Sequence, residues 1–289
     1  MDTYHHILAC LDLSGIDTWI IRYAAFTANL MESEKLTFIH VIQAYDLPDS
    51  DQRSSQTERK VKDHIRWKVE EHLREYALQN TKVEIFVKKE NRDAAQVVID
   101  FLAEAEVDLT ILGKKAEEER KEMYSERIMS HGESDMLLVP VSPRRKGANI
   151  LMALDLSSQS ERAFQVARKV AEKTSSEIAC QPLFSLPARF FPFTGFPQGD
   201  SRDKKKLQKQ MQRFIEKMDA DKEQLSCYDS VDKYEEQGKV LMSKANATET
   251  HLVVIGAKGR TDNPSSLLGL VANQTRKYTS PVSILIVKS

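Results

Sequence analysis

Cysteine is scarce in this chain. Cys10, Cys180 and Cys227 are the only three in 289 residues, and no C-x-x-C spacing occurs. A disulfide framework or a cysteine-bound zinc would need more of them, closer together. Cys10 and Cys180 stand inside apolar, strand-like runs, where a free thiol acts as a small hydrophobe. A reducing, cytoplasmic setting is therefore expected. Long apolar runs are also missing, and no stretch approaches the roughly 20 residues needed to span a bilayer. The opening MDTYHHILACLDL has no basic region before its first apolar run, so it is not expected to be a signal peptide. Charge of one sign is balanced, with a net charge of −1. That removes the electrostatic footprint of a nucleic-acid or anionic-membrane partner. Seven histidines are present, none at a metal-ligand spacing, and no metal site is expected.

What is present is a repeat. "ILACLDLS" (7–14) reads against "ILMALDLS" (150–157), and "LTILGKKA" (109–116) against "LVVIGAKG" (252–259). The two offsets, 150 minus 7 and 252 minus 109, are both 143. A shared offset at two separated places marks a duplicated unit. "SPRRKGAN" (142–149) combines proline, glycine and charge and serves as the join, so the expected domains are 1–144 and 145–289.

Each half opens on a nearly continuous apolar run, the pattern of a strand covered on both faces. A helix follows in each half. Ser158 with Glu161 fits a capping box in the second half, and Ser14 with Asp17 takes a similar part in the first. Strands 35–42 and 177–184 come next, then long amphipathic helices. Val61, Ile65, Val69, Leu73 and Tyr76 mark the first of these helices; Leu207, Met211, Phe214, Ile215 and Met218 mark the second. Alternating strands and helices predict an α/β fold of two doubly wound, mainly parallel five-stranded sheets related by a pseudo-twofold. Ligands in such sheets sit beyond the carboxyl ends of the strands, where Asp12, Asp155, Gly113 and Gly256 fall. The last strands, "MLLVPV" (136–141) and "ILIVKS" (284–289), would have exposed edges unless they pair, making an intrachain pseudo-dimer.

Glycine clusters once. In "GAKGRTDNPSSLLGL" (256–270), Gly256, Gly259 and Gly269 follow the spacing G-x2-G-x9-G. A phosphate-wrapping loop needs inward-pointing backbone N–H groups and room for close approach, which glycine gives. A helix starting near Gly269 would add a positive end, and Lys258 and Arg260 would add side-chain charge. With its "LD" strand ends, its "IG" strand ends and the closing "SPVSILIV" (280–287), the chain resembles a tandem universal stress protein. The resemblance implies a Rossmann-like, adenine-nucleotide-binding fold and a stress-responsive binding or signalling module, with ATP, with or without Mg2+, as ligand. The implied site is Asp155 beside the sugar or base, Leu183 on the adenine, and Gly256, Lys258, Gly259, Arg260, Gly269 and Leu270 around the phosphates. The nucleotide-binding branch carries Ser or Thr where this chain has Leu270, so one hydroxyl donor is lost.

In the first half Ala116 replaces the second glycine, and Glu117, Glu118, Glu119 and Glu122 follow. Like charges there would repel a triphosphate, so this half is not expected to bind ATP. The alternative is a nucleotide-independent scaffold with both sites vestigial. No nucleophile stands at a recognisable spacing from a base, so no catalytic residue is assigned and any ATPase activity is expected to be incidental. Other expected partners are an unidentified protein and a second copy of the chain. The phenylalanine-rich segment 185–200 is expected to pack on its own domain, close over a pocket or contact a partner.

Overall fold

A computed structural model describes residues 4–43, 55–76, 78, 80–114, 119–144, 149–183, 209, 212–214, 216–218, 225–227, 237–258 and 269–288. Segment 185–200, Gly259, Arg260, Leu207, Met211, Ile215 and the acidic residues Glu117 and Glu118 lie outside these. The chain divides into two compact units. The first is Met1–Arg145 with Arg276–Lys288, and the second is essentially Lys146–Thr275.

The first unit runs β1 (His6–Cys10), α1 (Asp17–Met31), β2 (Lys35–Gln43), α2 (Ser55–Leu73), β3 (Lys82–Glu90), α3 (Ala94–Glu104), β4 (Leu109–Lys114), α4 (Glu119–His131) and β5 (Asp135–Pro140). β1 and β5 are buried along their whole length, as strands covered on both faces must be. Among the described residues β3 pairs on one side only, with β2, and all but one of its residues, Val87, are partly or largely exposed. Glu84 on it bridges Lys35 at 2.8 Å and Lys82 at 2.6 Å. Charges of this kind suit an edge, where they discourage pairing with another chain. α2 ends at Leu73, and Tyr76 lies in the turn beyond it, so the expected helical face is one turn shorter. Ile65 and Val69 are its buried residues.

The second unit runs β6 (Asn149–Leu154), α5 (Ser158–Thr174), β7 (Glu177–Pro182), β8 (Leu225–Cys227), α6 (Gln237–Ala247), β9 (Leu252–Gly256) and α7 (Leu270–Lys277). The last strand, β10 (Ser283–Val287), belongs by its contacts to the first unit. It pairs antiparallel with β5, Ile284 opposite Leu138 and Ile286 opposite Met136. The expected pairing of segments 136–141 and 284–289 is thus present.

In the first unit the strand order is β3-β2-β1-β4-β5-β10, and in the second it is β9-β6-β7-β8. This corrects the expected pair of five-stranded sheets. The backbone groups on the free side of β5 are satisfied by β10, so the sheet does not stop at five strands. Apart from β5–β10, the registers described are parallel.

The repeat extends to single backbone conformations. Three pairs of non-glycine residues hold left-handed φ values: Leu13 (62°) and Leu156 (59°), Glu32 (57°) and Ser175 (53°), Glu106 (47°) and Glu249 (52°). Each pair is separated by the same 143 positions. Such conformations cost about 1–2 kcal/mol in an L-residue, so their recurrence reflects turns of the same shape.

Candidate functional site

The strands flanking the change in strand order are β1 and β4 in the first unit and β6 and β9 in the second. Asp12 and Asp155 follow β1 and β6, and each closes the same small turn. Asp12 Oδ1 accepts the N–H of Ser14 at 3.1 Å, and Asp155 Oδ1 accepts the N–H of Ser157 at 3.0 Å. This is an Asx turn, a local use of the carboxylate that the strand-to-helix connection itself requires.

The helix starts differ from the expected capping boxes. In the second unit the cap is Ser157, one residue earlier than Ser158, and its Oγ accepts the N–H of Ser160 at 3.1 Å. Glu161 instead accepts Lys217 Nζ at 2.5 Å. In the first unit Ile16 precedes α1 with no side-chain cap. Asp17 is wholly buried and its carboxylate accepts the N–H groups of Asp12 (3.1 Å) and Leu13 (2.9 Å). Burial raises its pKa, and Lys68 Nζ stands 3.8 Å away.

Position 17 of the first half corresponds to 160 of the second. There Ser160 Oγ donates to Asp155 Oδ1 at 2.6 Å and accepts the Asp155 N–H at 3.2 Å. The first strand end therefore gathers two acids, Asp12 and Asp17, where the second has one acid and a neutral hydroxyl. A polyanion meets less repulsion at the second.

Gly256 ends β9 against the start of α5. A Cβ added there would lie 3.2 Å from Gln159 Cβ and 3.3 Å from the Lys258 carbonyl oxygen. Lys258 is half-buried, and its N–H is donated to Gln159 Oε1 at 2.6 Å. Gly269 is buried; its N–H is donated to the Ala257 carbonyl at 2.6 Å, and its own carbonyl accepts the Asn273 N–H at 3.0 Å as α7 begins. Leu270 is the first residue of that helix. Leu183 is buried just past β7, its N–H on the Leu154 carbonyl at 2.8 Å. The structure thus places Asp155, Leu183, Gly256 and Lys258 at the carboxyl ends of β6, β7 and β9, with Gly269 bonded to the Gly256–Lys258 turn.

Two residues that matter here, Gln159 and Ser160, carry no motif. Applying the 143-residue offset position by position, rather than to motifs alone, would have singled out both by contrast with Ile16 and Asp17. Among the described residues, no three His, Cys, Asp or Glu side chains cluster to hold a metal, and no helix is long and apolar enough to cross a membrane.

This is an α/β architecture with mostly parallel strands. Residues 3–140 match the model of the Universal stress protein family. No curated protein matches the chain. Among solved structures, the chain is similar to one from Pseudomonas aeruginosa UCBPP-PA14 described as a universal stress protein, at 15% identity and a TM-score of 0.68, over 99% of this chain and 94% of that one. A universal stress protein from Archaeoglobus fulgidus DSM 4304 is similar at 16% identity and a TM-score of 0.64, over 98% and 96%. The cytoplasmic domain of a prokaryotic cation chloride cotransporter is similar at 10% identity and a TM-score of 0.54, over 98% and 95%. At these identities the likeness is one of fold.

Proposed function

We propose that the chain is a tandem universal stress protein whose second half binds ATP or a related adenine nucleotide and acts as a binding and signalling module. The tandem reading is supported by the 143-residue offset, which recurs in motifs and in three pairs of left-handed residues. The observation that carries the nucleotide reading is the contrast at positions 17 and 160. The buried Asp17 of the first half gives way to Ser160 in the second, beside a glycine turn, Lys258 and the positive end of α7. A phosphate chain fits that donor set, whereas the first half presents two carboxylates. Any Mg2+ would arrive with the phosphates, and hydrolysis would be slow and incidental. Bound phosphate would alter a surface that a protein partner reads.

Equilibrium titration with labelled ATP tests this. The wild-type chain should bind saturably. Ser160→Asp, which installs the carboxylate that the first half already accommodates, should weaken binding at least tenfold. No saturable binding at millimolar ATP would remove the reading and favour a nucleotide-independent scaffold. One observation supports that second reading: the Lys258 and Gly269 N–H groups both have acceptors within the chain.

A further inference from the structure

The residue lying against the strand-end glycine is the same in position and different in chemistry in the two halves. A Cβ on Gly113 would come within 3.0 Å of Ile16 Cδ1 and 3.1 Å of its Cγ2; on Gly256 the corresponding neighbour is Gln159. Positions 16 and 159 share the 143-residue offset. Both glycines thus meet the same close approach from the start of the first helix of their unit. Ile16 can only fill space, whereas Gln159 also bonds.

The bond matters because of where it ends. The Lys258 N–H lies two residues beyond the glycine, in the turn where a phosphate would find backbone donors. Gln159 Oε1 holds it at 2.6 Å. The neighbouring Gly269 N–H is committed to main chain. Gln159, by contrast, is a half-buried side chain that leaves by rotation about its own torsions.

We propose that Gln159 is a built-in competitor for the ligand at the Gly256–Lys258 turn: its amide oxygen occupies the Lys258 N–H, and a ligand binds by supplying a better acceptor and displacing it. The inference rests on the nucleotide reading above and adds a selectivity to it. A charged phosphate oxygen accepts roughly twice as strongly as a neutral amide, so phosphorylated nucleotides displace Gln159. A bare nucleoside offers the turn no such acceptor and leaves the contact in place.

The test uses the full chain with Gln159→Ala and Gln159→Glu, both good helix formers at a position in the first turn of α5. Two quantities are measured: ATP affinity by equilibrium titration, and exchange of the Lys258 amide hydrogen without nucleotide. In the alanine variant, Lys258 should exchange faster and ATP should bind about fivefold tighter, the worth of one neutral hydrogen bond. In the glutamate variant, exchange should slow and ATP should bind more weakly than to wild type. A residue serving only to support the fold would weaken binding in both variants, which would overturn the competition. Unchanged Lys258 exchange in the alanine variant would overturn the contact itself. If exchange responds as expected but none of the three proteins binds ATP, the nucleotide reading falls and the competitor role with it.

Discussion

Two lysines, both in the first unit, show how a buried ammonium is judged by its partners. Lys114 ends β4, and its Nζ is buried with no hydrogen-bond partner among the described residues. Lys288 Nζ is also buried, but it donates to the carbonyls of Met129, at 2.7 Å, and Gly132, closing the end of α4. Burial lowers both pKa values to about 8; at Lys288 the carboxylates of Asp135 and Glu133 oppose the shift. Lys114→Met should stabilise the chain by about 1–3 kcal/mol, because it removes a buried charge that has no partner among the described residues and keeps the apolar stem. Lys288→Ala should destabilise it by about 1–3 kcal/mol, because it strands two carbonyls. Chemical denaturation of both variants checks the opposite signs. The pH dependence has one sign for both groups. The unfolded chain binds more protons than the folded chain between about pH 8 and the ordinary lysine range near 10.5. The charge penalty is therefore full below pH 8, and this contribution to stability rises with pH through that window. Lys114→Met should flatten the rise. The sequence marked neither lysine, because a strand-end lysine is ordinary until its surroundings are known.

At the scale of the element, α5 and α1 occupy the same place in their units and start and stop in partly different ways. Both end on a left-handed residue, Ser175 and Glu32, where glycine is favoured because it has no Cβ. Ser175 is exposed, so Ser175→Gly should stabilise the chain by about 1 kcal/mol, measured as a rise in Tm of the full chain. A fall in Tm would mean that Ser175 has a role beyond closing the helix. The starts diverge because position 17 bonds the preceding turn through a carboxylate and position 160 through a hydroxyl. The existence of these helices was legible in their apolar spacing. The cap was misplaced by one residue because Ser157, Ser158 and Ser160 are all able to cap, and only the backbone conformation chooses among them. The glycine spacing pointed to the turn. It left open what the glycine at 256 accommodates, which proves to be the approach of Gln159.

At the scale of the molecule, the last strand is held by its partner β5 in the first unit. A fragment of residues 1–144 would leave the apolar edge of β5 without that partner. It should self-associate through that edge, forming a dimer or larger species in analytical ultracentrifugation. A monomeric, folded fragment would show that β10 is dispensable to that edge. The sequence by itself determined the shared 143-residue offset, the alternation of strands and helices and the pairing of the two final segments. These follow from local periodicity and internal likeness, which any stretch of chain carries on its own. Only the tertiary structure decided that the final strand belongs to the sheet of the first unit, because edge pairing depends on which backbone groups are left unsatisfied once that unit has folded. It also decided that Gln159 and Ser160 shape the strand-end turn, because their roles come from atoms about a hundred positions away along the chain or across a turn, and no local pattern records such proximity.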